Sequence, residues 1–128
     1  MAKSTHNDIL DAALNYVADN GDRIFICSAE PTDYTEASST YALAVNIMTE
    51  GDGNGDYTIA DGDASGRKLT VSEQATITVD TTGTATHIAI GDSVASKLLL
   101  VTTCTSQLIT IGNTATIPAF DEEIADPT

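Results

Sequence analysis

The run Tyr41-Ala42-Leu43-Ala44-Val45-Asn46-Ile47 decides the fold class. Tyr41, Leu43, Val45 and Ile47 recur at every second position, with Ala42, Ala44 and Asn46 between them. A period of two belongs to a β-strand, whose side chains alternate between faces. The first set is expected to share one face and the second set the other. Upstream, residues 23–28 set Ile24 and Ile26 against Phe25 and Cys27 in the same way. Downstream, further short strands are expected near 57–60, 67–71, 76–80, 84–90, 97–103, 107–111 and 114–120, separated by Gly, Asp and Asn. The run Leu98-Leu99-Leu100-Val101 is apolar on both faces, so it is expected to be a central strand covered on each side.

Only the beginning departs from this pattern. Ile9, Leu10, Ala13, Leu14 and Val17 follow helical spacing, with Thr5 as a cap and Asp8 three residues on as its capping-box partner. Asn20-Gly21, which tolerates the left-handed conformation, closes the helix. The chain therefore reads as mainly β: an antiparallel β-sandwich or barrel-like domain with one N-terminal α-helix. Residues 1–128 are expected to form a single domain, with a helix over 5–19, a sandwich over 23–120 and an acidic C-terminal arm over 121–128.

At 128 residues the folded chain should expose roughly 6,500 Å² and have a substantial core without metal or disulfide staples. β-branched residues are abundant, with 20 Thr, 12 Ile and 6 Val, which argues against disorder. Aromatics make up only 5% and Trp is absent, so a stacking platform for bases or sugars is not expected. Nineteen Asp and Glu against five Lys and Arg leave a net charge of −14. So few cations cannot neutralise a phosphate backbone or hold an anionic membrane surface, so neither nucleic acid nor membrane is an expected partner. The opening residues lack the apolar core of a secretory signal, with Asp8 and Asp11 where it would lie.

Candidate chemistry is sparse. Asp52-Gly53-Asn54-Gly55-Asp56 places the oxygens of Asp52, Asn54, Asp56 and Asp63 at positions 1, 3, 5 and 12 of an EF-hand-type loop, with Ile59 at position 8. Tyr57 stands where the sharp turn needs Gly, Asp63 replaces the longer Glu, and strands rather than helices flank the loop. An acidic, Gly-rich β-turn fits the same residues. Neither the zinc spacings nor a G-x-S-x-G elbow occurs, and no catalytic residue is assigned. Gly62-Asp63-Ala64-Ser65-Gly66 reads as a hairpin loop leading into Arg67-Lys68. A four-residue turn at 81–84 would pair Ile77 with Ile88 and turn His87 outward with Ala85 and Ala89; a three-residue turn would turn it inward. Cys27 and Cys104 each end an expected strand, as buried free thiols or as a disulfide.

Several stretches are more distinctive than composition. MAKSTHNDILDAALNYV, CSAEPTDYTEA followed by TYALA, YTIADGDASGRKLTV, GTATHIAI, KLLLVTTC and PAFDEEIADP occur in that order. On these stretches the chain resembles the small virion structural proteins of tailed bacteriophages. The resemblance implies a non-enzymatic virion component, assembled in the host bacterial cytoplasm, and foremost a capsid decoration (cement) protein on the outer shell. It implies the major capsid protein and copies of itself as partners, in a homo-oligomer or in repeated copies on a symmetric particle, and no cofactor. A strongly acidic protein is also repelled by packaged DNA, which favours the outside of a shell. The alternatives are a tail, neck or baseplate component and, more distantly, a calcium-binding β-rich adhesion module. Candidate contact residues are Pro31 and Tyr34 in a turn-rich loop and Phe120 and Ile124 near the C-terminus. Phe120 reads either as an arm's apolar anchor or as the end of the domain's own last strand.

Overall fold

A computed structural model of the chain describes residues 3–127. Helix α1 (Asn7–Asn20) is followed by β1 (Arg23–Cys27), a π-helical turn (Glu36–Thr40) and β2 (Ala42–Ile47). Then come β3 (Tyr57–Asp61), β4 (Arg67–Val71), β5 (Gln74–Thr78), β6 (Gly83–Asp92), β7 (Lys97–Ile109), β8 (Thr114–Ile117) and β9 (Phe120–Ile124). The strands form three antiparallel sheets, ordered β2-β1-β6-β7, β3-β4-β9 and β5-β8. The arrangement is sandwich-like: α1 and the two smaller sheets lie over one face of the four-stranded sheet, and no barrel closes. The accessible surface is 6821 Å².

The main core lies between these layers, and the helix and all nine strands contribute to it. Across the four-stranded sheet, Asn46, Ile24, Ile90 and Leu100 stand opposite one another, as do Ala44, Ile26, Ile88 and Thr102. Leu69, Val71, Tyr57 and Ile77 meet them from the smaller sheets. The helix buries Leu10, Leu14 and Ala18, one residue per turn, while Ile9 and Ala13 face out. Its ends are tied down separately. Arg67 Nε donates to Asp11 Oδ1 at 2.6 Å and joins α1 to β4, and the Tyr57 hydroxyl donates to the Gly21 carbonyl at 2.6 Å.

Both helix ends differ from expectation. His6, not Thr5, is the N-cap, its imidazole accepting from the Asp8 amide. Gly21 has φ of −77°, so it is not there for left-handed backbone. It is there for space: a Cβ would lie 2.6 Å from Tyr57 Oη and 2.7 Å from the Val17 carbonyl.

The run that announces the β-fold does not keep the expected unbroken alternation of faces. A register shift between Ile26 and Cys27 leaves Leu43 as an extra residue on β2. Leu43 and Ala44 both enter the core, and beyond them Val45 and Ile47 turn outward, 41% and 70% exposed. Leu98-Leu99-Leu100-Val101 is likewise not central. It lies in β7, at the edge of its sheet, and is half-buried, because β7 pairs with β6 alone. The two strands expected at 97–103 and 107–111 are one continuous strand with two register breaks against β6.

Strand β5 does not form a hairpin with β6. It pairs with β8, so the expected match of Ile77 with Ile88 is absent. Residues 79–81 instead bridge the layers on the β2 side: Val79 pairs with Ala44, and the Asp80 and Thr81 amides donate to the Leu43 carbonyl. His87 is half-buried. It shares the outer sheet face with Ala89 and Cys27, while the irregular register turns Ala85 into the main core. At the C-terminus, Pro118, which has no amide donor, separates β8 from β9 and the chain changes sheets there. Residues 120–124, expected in part as an arm, pair with β4 instead.

Candidate interaction surface

The acidic loop engages its own chain. The Asp56 carboxylate accepts from the Thr49 amide at 2.5 Å, Gln74 Nε2 at 3.0 Å and Ser72 Oγ at 3.1 Å. Burial opposes the Asp56 charge, but these donors outweigh it and hold the carboxyl below its ordinary value. Asp52 Oδ1 accepts from the Ile59 amide at 2.8 Å, and Asn54 donates to the Glu50 carbonyl at 3.1 Å. Asp63 pairs with Lys68 at 2.8 Å. The four residues spaced like an EF-hand thus serve four separate purposes in a β-structure. Among the described residues no group of three or more His, Cys, Asp or Glu converges as a metal site would require. Spacing along a loop makes a cation site only when the backbone turns the oxygens to converge on one point.

Pro31 and Tyr34 also serve the fold. Pro31 is buried, and the Tyr34 ring packs edge-on against Phe25, 5.9 Å between centroids and 80° between planes. With Ala37 and Tyr41, Tyr34 covers part of the outer face of the four-stranded sheet, where Phe25, Cys27 and Ala89 are buried. Gly91 makes room for this cover, since a Cβ there would stand 2.9 Å from the Tyr34 ring. Phe120 and Ile124 are half-buried against the main core and lie opposite Val71 and Arg67 of β4. Cys27 Sγ donates to the Ala37 carbonyl at 3.6 Å; burial first, and the Cys104 thiol second, push it up to about 11. Both cysteines are free, Cys27 buried and Cys104 partly accessible.

The expected contact loop and tail are therefore part of the fold itself, and the open surface lies elsewhere. On the β2 side residues 79–81 join the layers. On the opposite side, among the described residues, β7 has no neighbour beyond β6, β8 none beyond β5 and β9 none beyond β4. Between β7 and the β8–β9 segment the sandwich opens into a groove of about 630 Å³. Ile26, Ile88, Ile109 and Ile117, all buried members of the main core, line it together with Cys104 and Phe120. Near the β7–β8 turn, Leu108 and Ile111 are 66% and 61% exposed; Leu108 alternates with the groove-lining Gln107 and Ile109 and so lies on the outer face of the sheet.

This side also has a chemical signature. From residue 98 to residue 120 there is no Asp, Glu, Lys, Arg or His, the longest such run in the chain. It spans nearly all of β7, all of β8 and the first residue of β9. The cations are elsewhere: Arg23 pairs with Asp22, Arg67 with Asp11 and Asp61, and Lys68 with Asp63 and Asp121. Lys97, at the start of β7, donates to the Tyr16 hydroxyl at 3.2 Å. An uncharged run is visible in a sequence, but whether it is core or surface depends on which strands become edges. No family model, curated protein or solved structure matches this chain.

Proposed function

We propose that the protein is a non-enzymatic structural component of a tailed-phage virion, a capsid decoration protein that acts by adding contacts on the outer shell. One observation carries this reading: two strand edges, β7 and β8, drawn almost wholly from the uncharged run 98–120, on a chain of net charge −14. Acidic surfaces keep such a protein soluble and apart from its neighbours. Edges free of charge, with core residues lining the groove beside them, are suited to contact.

The resemblance of the quoted sequence stretches to small virion proteins supplies the biological setting of this reading. Contact alone is enough for the role. An interface on the order of 800 Å² per partner, repeated over symmetry-related sites, raises the barrier to shell disassembly through multivalency. The major capsid protein and copies of this chain are the partners in this reading. Imaging intact virions that carry the gene tests it. Density for this chain distributed over the shell is the expected result. A ring at one vertex or along the tail would make it a tail, neck or baseplate component, and absence from purified particles would refute a virion role.

A further inference from the structure

We propose that Asn54-Gly55, in the acidic loop between β2 and β3, is a site of spontaneous deamidation. The Gly55 amide nitrogen attacks the Asn54 side chain, and water completes the conversion to aspartate and isoaspartate. The inference is independent of the virion reading.

The chain supplies its own comparison. The tripeptide Asn-Gly-Asp occurs twice, at Asn20-Gly21-Asp22 and at Asn54-Gly55-Asp56. The residue after the asparagine supplies the nucleophile, so the shared glycine gives both sites much the same intrinsic reactivity. Their side chains are also held alike. Asn20 Nδ2 donates to the Tyr16 carbonyl at 2.8 Å and Asn54 Nδ2 to the Glu50 carbonyl at 3.1 Å, each four residues back. The glycine nitrogens differ. Gly21 is buried, and its amide donates to the Val17 carbonyl at 2.7 Å at the end of α1. That N–H must be freed, and the helix end opened, before its nitrogen can turn towards a side chain. Among the described residues the Gly55 amide has no hydrogen-bond partner. Gly55 is exposed, a Cβ there would meet nothing within 4 Å, and its φ of 121° is a conformation that glycine adopts freely. The two Asp-Gly junctions, where the same ring could close, are tied as Gly21 is. The Gly53 amide donates to the Tyr57 carbonyl at 2.8 Å, and the Gly62 amide to the Gly66 carbonyl at 2.9 Å. Of these junctions only Asn54-Gly55 leaves its nucleophile free.

The Gly55 N–H gives its proton to solvent, the nitrogen bonds to Asn54 Cγ, and the Cγ–Nδ2 bond breaks. Ammonia leaves, and a succinimide ring remains, closed by the proximity of neighbouring residues. Water then opens the ring. Cleavage of the new N–Cγ bond gives aspartate; cleavage of the original peptide bond gives isoaspartate, with the chain running through the former side chain. Nothing is oxidised or reduced. Either product adds one negative charge to a chain already at −14 and removes the donor to the Glu50 carbonyl. Isoaspartate also inserts a methylene between Asp52, which holds the Ile59 amide, and Asp56, which holds Thr49, Ser72 and Gln74. The reaction is thus a one-way mark of the molecule's age, placed in a loop that ties separate parts of the fold together.

The test incubates the full-length protein in mildly alkaline buffer, digests it and follows the Asn20 and Asn54 peptides by mass spectrometry, which resolves the exchange of NH2 for OH. Electron-transfer fragmentation separates isoaspartate from aspartate. In the folded protein Asn54 should convert at least about tenfold faster than Asn20, which reacts only when the helix end opens. Its rate should climb with pH, because attack needs the deprotonated nitrogen. In urea, where the Gly21 amide is released, the two rates should converge. Asn54→Gln keeps a side-chain donor but requires a larger ring. It should retain the fold by circular dichroism and lack the more acidic species that anion exchange resolves in the aged parent. Folded protein in which Asn54 survives as long as Asn20 overturns the inference. So does a rate difference that persists unchanged in urea, which would move the selectivity from the fold to the sequence. An acidic species that accumulates undiminished in Asn54→Gln would place the reaction elsewhere and refute it as well.

Discussion

Replacing Tyr57 by Phe removes one oxygen from the best-buried large side chain in the molecule. Tyr57 is fully buried, and its hydroxyl donates at 2.6 Å to the carbonyl of Gly21, itself buried. The ring remains in Tyr57→Phe, so no large cavity forms. The loss is that of a buried acceptor deprived of this donor, which costs about 1–3 kcal/mol. For a chain of this length each kcal/mol lowers the melting temperature by roughly 4 °C, so a fall of about 4–12 °C is expected. Urea titration should show a lower midpoint at unchanged slope, because the surface exposed on unfolding is the same. Tyr16→Phe is the control: that side chain is exposed, so the change should be within about 0.5 kcal/mol. Gly21→Ala probes the same contact from the other side. Its Cβ would lie 2.6 Å from Tyr57 Oη, 2.7 Å from the Val17 carbonyl and 2.8 Å from Ile90 Cγ2, and overpacking of this kind costs about 1–3 kcal/mol. The double variant should be less destabilised than the sum of the two, since removing the hydroxyl relieves the nearest clash. A Tyr57→Phe protein as stable as the parent, or strict additivity in the double variant, would refute the account of how the helix end is tied to the sheet.

Asp22 accepts hydrogen bonds from the Ser93 amide and hydroxyl and pairs with Arg23 at 3.1 Å; burial opposes its charge, but these partners hold the carboxyl below its ordinary 3.8. Its contribution to stability is therefore complete above that ordinary value and lost as pH falls through the lower folded one, so urea midpoints should drop in acid and Asp22→Asn should flatten the drop. Asp52→Ala combined with Asp56→Ala should destabilise the fold by about 1–3 kcal/mol through the lost partners of Thr49, Ser72 and Ile59, with no response to EDTA or added calcium; a melting temperature that chelation lowers and calcium restores would make the loop a cation site. Ending the chain after Ile117 removes β9, whose Phe120 and Ile124 pack on the core, so the truncated protein should be largely unfolded by circular dichroism, and a fully folded product would reinstate the C-terminal arm.

Local pattern was sufficient for the elements themselves. Helical spacing near the start, period-two alternation thereafter and Gly- or Pro-marked turns place the helix and most strands within a few residues, because each signal depends only on near neighbours. The Gly62–Gly66 turn behaved as read: the Gly62 amide donates to the Gly66 carbonyl at 2.9 Å and Arg67 follows into β4. Faces and partners depended on tertiary structure. One extra residue at Leu43 split the expected face, leaving Leu43 inside and Val45 and Ile47 outside, because a strand's side-chain period is two and a single insertion inverts it. Leu98-Leu99-Leu100-Val101 has the composition of a central strand and the position of an edge, since strand order follows from which pairs form across the whole chain. The candidate surface shows the same division. The lack of charge is written in residues 98–120, but its meaning waits on β7 and β8 both ending as edges beside the groove. Composition determined that this protein is acidic, aliphatic and β-rich; long-range strand pairing alone decided which of its uncharged residues were left at the surface.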